Sequence, residues 1–277
     1  MTSWDTLGRV GAERLADARL QLHWATQAAS AVGKQLVDHR PDYGEQSFQW
    51  DPANRLLVQG QTAAGFRSAL RSSPPALLLL GASKELPLDG RTVEEAYAWL
   101  ESEIPPLLGR PLERPLDQPG EMPSHAVGSG SPISAHDREA FEELAAWLDA
   151  AHQLLSGVAA RHSGASAVRL WPHHFDIATL ISLDPEGEPE TARSIGAGLA
   201  LGDSFKGEPY IYITPWPYPS KDRTLPPPDG GTWNTEGWTG AYLEASRLLD
   251  GPAGERAARA RRFVDSAVAA CLRLLER

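Results

Sequence analysis

The 277-residue sequence contains one cysteine, two methionines and no long apolar run, and each shortage removes a class of protein. Cys271 has no partner for an intrachain disulfide, and without a cysteine cluster there is no thiolate zinc site. No uninterrupted apolar stretch approaches the roughly 20 residues that a membrane-spanning helix needs. Residues 1–9 are polar and carry Asp5, so they lack the basic and apolar regions of a secretory signal. A cytoplasmic location is the expectation. Basic runs are missing as well: 26 Lys and Arg stand against 36 Asp and Glu, a formal charge of −10. That is the wrong sign for attracting phosphate backbones or anionic bilayers, so neither nucleic acid nor membrane is an expected partner. The sequence also lacks a Gly-x-Ser-x-Gly elbow, a Walker loop, a His-Glu-x-x-His zinc motif and an EF-hand loop. Gly196-Ala-Gly198 is too short for a dinucleotide fingerprint and lies among strand-like residues rather than before a helix. No cofactor is assigned.

What is present is ordinary globular material, with 42% hydrophobic and 22% charged residues, enough to build a sizeable core. Leu15, Ala18, Leu22, Ala25, Ala29, Val32 and Leu36 recur three and four apart, which predicts one long helix from Glu13 to Val37. After Pro41, residues 48–51, 55–59 and 77–81 read as short strands separated by turn residues. Thr92 and Glu95 form a capping box that opens a second helix, expected to stop near Pro105-Pro106. Residues 105–135 are rich in Pro and Gly and hold no period, so they read as a surface excursion. A third helix starts near Asp137 and ends before Gly164. The period then changes: residues 168–171, 175–183, 194–201 and 210–214 are β-branched or aromatic runs, the pattern of an antiparallel meander. The Pro-rich stretch 215–231 leaves the sheet. A last helix carries Cys271 on its apolar face, where the thiol is core rather than nucleophile. The expected fold is a single α+β domain over residues 1–277, a largely antiparallel meander sheet with long helices packed on one face.

Three groups of residues could carry chemistry. In an extended strand starting at Trp171, His174 and Asp176 would share one face, as a base beside the acid that orients it or as two ligands of a metal. A bland reading, in which Asp176 bonds to backbone and the histidines are half-exposed, stands beside those two. On the strand 209–216, Tyr210, Tyr212, Thr214 and Trp216 alternate with isoleucines, giving an aromatic and hydroxylic face. That face suits a small-molecule cleft, or a core whose phenols reach solvent. On the first helix His23, Gln27, Ser30 and Lys34 lie within a stripe about 60° wide. Such a stripe is solvated surface unless another element covers it. Nine tryptophans offer stacking surface, and Trp233 and Trp238, in a Gly/Asn/Thr-rich run, are expected near a rim.

Leu22-His23, Gln27, Gly33-Lys34, the strand-to-helix passage from Glu85-Leu-Pro-Leu88 to Val93 and Tyr97, the strand Phe175-Asp176-Ile-Ala178 and Glu208-Pro-Tyr-Ile-Tyr212 together resemble a family of uncharacterised bacterial proteins. That family, a domain of unknown function, carries Leu-His-x-x-x-Gln…Gly-Lys, Phe-Asp-Leu-Ala and Pro-x-x-Tyr-x-Tyr motifs. The resemblance spans nearly the whole chain and implies a single α+β domain without naming a reaction. His23, Gln27, Lys34, Asp176 and Tyr212 match positions that its pattern emphasises, which moves the helix stripe from surface toward pocket. Lys34 lies three residues further from Gln27 than the pattern has it, and His173-His174 replace small residues, so no role for that pair is implied.

The sequence therefore leads to the expectation of a small-molecule enzyme of unassigned reaction. His174 or His23 would be the acid/base, Asp176 its orienter, Gln27 and Lys34 anchors, and Tyr210, Tyr212 and Trp216 lining, with no metal. The alternative is a non-catalytic protein that binds a ligand or assembles through its helices.

Overall fold

A computed structural model of the chain describes residues 2–188 and 191–276. The elements run α1 (Ser3–Thr6), α2 (Ala12–Leu36), β1 (Gln49–Asp51), β2 (Leu56–Val58), β3 (Arg67–Ser72), β4 (Pro75–Leu80), β5 (Lys84–Pro87), α3 (Val93–Leu108), α4 (Arg138–Arg161) and β6 (Arg169–Trp171). They continue through β7 (Asp176–Ser182), β8 (Ser194–Ala200), β9 (Tyr210–Trp216), β10 (Thr232–Asn234), β11 (Gly240–Glu244), α5 (Ala245–Leu248) and α6 (Arg256–Leu275). The fold is α+β and antiparallel, as the periodicities predict, but the strands form two sheets where one was expected. Among the described residues no helix is long and apolar enough to cross a membrane.

The backbone divides into two compact units, where composition marks no boundary. The first comprises Val10–Ala145 and Leu170–Phe175; the second comprises Ala146–Arg169, the chain from Asp176 onward and the N-terminal residues up to Arg9. The chain crosses between them four times: inside α4 and β6, in the short connection between α1 and α2, and at the turn that precedes β7, so no long Pro/Gly-rich linker announces them.

In the first unit β1 to β5 form an antiparallel meander in sequence order. Helix α2 lies on β3 and against α3, and its Leu15, Ala18, Leu22, Ala25, Ala29 and Val32 are all buried. Strand β3 is absent from the sequence reading, and β5 enters it only through the strand-to-helix passage of the family resemblance, for opposite reasons. Strand β3 buries Ser68 and Ser72, whose polarity hides its inward face, and Ser68 satisfies its hydroxyl by donating to the Ala29 carbonyl at 3.2 Å. Strand β5, Lys-Glu-Leu-Pro, is a mostly exposed edge with the Lys and Pro that sheet edges favour. In α3 the capping box forms as expected: Thr92 N–H donates to the Glu95 carboxylate at 2.8 Å, and the Thr92 hydroxyl accepts from Glu95 N–H at 3.1 Å. The helix does not stop at Pro105-Pro106 but ends at Gly109, whose φ of 66° closes it with a left-handed cap. Proline's own φ is helical, so two prolines in the last turn remove hydrogen bonds without turning the chain.

The excursion between α3 and α4 is strapped along α2. Trp24 Nε1 donates to the Pro123 carbonyl at 3.2 Å, His125 Nε2 meets Asp17 at 3.0 Å, and Ser134 N–H donates to Gln21 at 2.7 Å.

In the second unit the strands β7 to β11 lie in the order β10-β11-β9-β8-β7, each antiparallel to its neighbours. The chain leaves at Trp216, re-enters at the far edge as β10, and folds back so that β11 fills the gap beside β9. Helix α6 covers one face. The register aligns Ile177, Leu199, Ile211 and Leu243, all buried, and α6 contributes buried Phe263, Val264, Ala267 and Cys271. Cys271 is fully enclosed, and burial pushes its thiol up to about 12.

Candidate functional site: a Tyr-Asp sheet face and its neighbouring cavity

The face of the second sheet that alternates with the α6-facing isoleucines carries Asp176, Gly196, Gly198, Tyr210, Tyr212 and Tyr242. Gly196-Ala-Gly198 has its reason here. A Cβ on Gly198 would stand 2.4 Å from the Tyr212 ring, so the bare backbone is what allows that ring to lie across β8. Tyr212 thereby reaches from β9 over β8 and donates its hydroxyl to Asp176, on β7. Burial beside this carboxylate holds the phenol well above its ordinary range, fully protonated. Tyr210 makes the parallel bond, donating to Asp203 at 2.6 Å, and burial again raises its phenol. Asp203 also accepts from the N–H groups of Phe205 and Lys206, at 2.8 and 3.1 Å.

An aromatic cluster is built on this face. Phe205 meets Tyr210, Trp238 and Tyr242 edge-on, at 5.5, 5.3 and 5.1 Å between centroids, and Tyr212 meets Trp238 at 6.5 Å. Lys206 lies over the Phe205 and Tyr242 rings and pairs with Glu244 at 2.5 Å. Trp238 is fixed from below as well: a Cβ on Gly240 would be 2.2 Å from its ring. Its carbonyl accepts from Asn234 Nδ2 at 2.6 Å, which pins the loop between β10 and β11.

Beside Trp238 opens a cavity of about 520 Å³. Tyr218 and Trp238 give it aromatic surface, Ser220 and Thr235 hydroxyls, and Lys221 and Arg223 positive charge. Sequence reading placed Trp238 at a rim but did not single out Lys221 and Arg223. The only available signal was a basic pair inside the Pro-rich stretch that leaves the sheet.

The other sequence-marked residues are placed differently. The strand expected from Trp171 through Asp176 is interrupted: Phe175 N–H donates to the Trp171 carbonyl at 2.8 Å and Phe175 takes a φ of 54°. Residues 172–175 are therefore a turn, and the alternation that would pair His174 with Asp176 does not run through it. His174 is exposed, with His173 tilted against it at 4.4 Å, while Asp176 is buried. His23 and Gln27 are converted into props for that turn. Both donate to the Pro172 carbonyl, at 2.8 and 2.7 Å, and the His23 ring stacks on Phe175 at 5.2 Å.

His23 is buried, and its Nδ1 has no hydrogen-bond partner among the described residues. Burial lowers its pKa to about 4, against the opposing pull of the Pro172 carbonyl. Ser30 donates to the Gln46 carbonyl at 3.2 Å, and half-exposed Lys34 pairs with Asp117 at 3.1 Å. His23, Gln27 and Ser30 are thus covered by backbone that they hold in place, while Lys34 stays at the surface on a carboxylate. Trp216 remains exposed, edge-on to Tyr218 at 5.4 Å. Among the described residues no three His, Cys, Asp or Glu side chains converge to hold a metal ion.

No known protein family, no curated protein and no solved structure matches the chain. The site is read from its own geometry.

Proposed function

We propose that this protein binds a small organic molecule in the cavity beside Trp238, without a reaction of its own assigned to it. The observation that carries this reading is the fixed aromatic wall. Trp238 is held by Gly240 beneath it, by the Asn234 bond to its carbonyl and by the edges of Phe205 and Tyr212, at the margin of a 520 Å³ space. A concave site of that size with a few polar groups among rings is the usual profile of a small-ligand pocket. Preorganised aromatic surface lowers the entropy cost of binding.

Binding is favoured over turnover because of the imidazoles. His23 uses Nε2 on a backbone carbonyl and is neutral at pH 7, and His174 stands exposed on a turn. The first lacks the near-neutral pKa of a general base and the second lacks its enclosure. Asp176 and Tyr212 are engaged with each other and hold the wall in place.

Ligand-observed NMR with a set of small aromatic compounds tests the reading. Hits are expected on the wild-type chain and are lost in Trp238→Ala. An empty screen, or hits indifferent to Trp238→Ala, overturns it.

A further inference from the structure

Resting on that reading, we infer that the ligand of the Trp238 cavity is an aromatic anion, a flat ring bearing a carboxylate or phosphate. The chain carries a formal charge of −10, yet the lining of this cavity contains Lys221 and Arg223 and no Asp or Glu. Neither cation forms an ion pair among the described residues. Arg223 spends only one edge of its guanidinium, donating Nη2 to the Arg273 carbonyl at 3.0 Å, so its remaining N–H groups are available.

At other places on the molecule cations have carboxylate partners, as Lys206 has Glu244, Arg193 has Asp184 and Lys34 has Asp117. Two unpaired positive groups at one concave site are therefore a local reversal of the overall charge. Such a reversal draws anions and repels cations at short range, because screening acts over about 8–10 Å at ordinary salt. The ring half of the ligand follows from Tyr218 and Trp238. The hydroxyls of Ser220 and Thr235 add donors of the kind that a carboxylate or phosphate accepts. A guanidinium forks onto either oxyanion, so the two head groups share one recognition chemistry.

The test compares charge at constant shape. Benzoate and phenyl phosphate are titrated against benzamide and phenyl methanesulfonate, with inorganic phosphate alone as a further arm, following chemical shifts of the tryptophan indole N–H groups. The aromatic anions are expected to bind about tenfold or more tightly than their neutral isosteres, the span that one or two hydrogen bonds to charged groups supply. Lys221→Gln/Arg223→Gln is expected to erase that difference, and higher salt to narrow it.

Equal binding of benzoate and benzamide overturns the anion inference and leaves the ligand-binding reading standing. Binding of inorganic phosphate as tight as phenyl phosphate overturns the aromatic half. Silence from every probe, with no shift at any indole, overturns both. The isostere comparison uses only the wild-type chain, so it decides the inference even if the double variant is unstable.

Discussion

Tyr212 hands its phenolic hydrogen to Asp176 across the unadorned backbone of Gly198. The bond joins two strands that are not neighbours, with β8 running between them. Removing the donor with Tyr212→Phe should cost about 1.5–3 kcal/mol, the range for a hydrogen bond to a charged group. Gly198→Ala should also destabilise, because its methyl displaces the ring. Since either change breaks the same bond, the double variant should lose less than the sum of the singles in urea unfolding. Additivity within about 0.5 kcal/mol would show that the two positions are uncoupled.

His23 gives the fold an acid sensitivity of definite sign. Its pKa falls from 6.5 to about 4 on folding, so between those values the unfolded chain takes up a proton that the folded chain refuses. At pH 7 both states are neutral and nothing is lost. As the pH drops from about 6.5 toward 4, stability declines by an amount on the order of 3 kcal/mol. His23→Gln should flatten that part of the pH profile relative to wild type, measured by urea midpoints at pH 7, 6 and 5. Parallel profiles would contradict the assignment.

Gly33 should resist the usual stabilising exchange. Alanine is favoured over glycine inside a helix by about 1 kcal/mol, but here a Cβ would stand 2.3 Å from both Gln59 Nε2 and the Glu45 carbonyl. Gln59 is also occupied, accepting from Gly33 N–H at 2.9 Å. Gly33→Ala is expected to lower the thermal midpoint; a rise would mean that the Gln59 side chain yields easily.

Cys271 should be silent toward thiol reagents in the native protein. Full enclosure and a pKa of about 12 leave almost no thiolate at pH 8. Reaction with a chromogenic disulfide should appear only on unfolding, and its rate then reports the population of open chain. Rapid labelling in native buffer would place the thiol at the surface.

The long helices and the β7 to β9 strands were legible because a single period runs through each, as in Leu15 to Val32 and in the isoleucines of Tyr210-Ile-Tyr-Ile. Strands β3, β10 and β11 were not, and β5 was marked by the resemblance rather than by its period. Ser68 and Ser72 face inward, Lys84 and Glu85 lie on an edge, and the Gly/Asn/Thr run around Trp238 spells loop more loudly than strand.

At the site, the partnership of Asp176 with the tyrosine face was within reach of alternation. The pairing of His174 with Asp176 failed because the left-handed residue between them, Phe175, carries a side chain that ordinarily avoids that conformation. His23 and Gln27 stood out as polar groups in line. Their common acceptor is a proline carbonyl about 145 positions away, and spacing along one helix says nothing of such a partner.

The empty spot under the Tyr212 ring also governs how this chain can diverge. A side chain at 198 and a broad ring at 212 exclude one another, so descendants can gain bulk at 198 only where the ring at 212 has been lost. When sequences of true relatives are aligned, those two columns should drift in step, bulk appearing in one as it vanishes from the other.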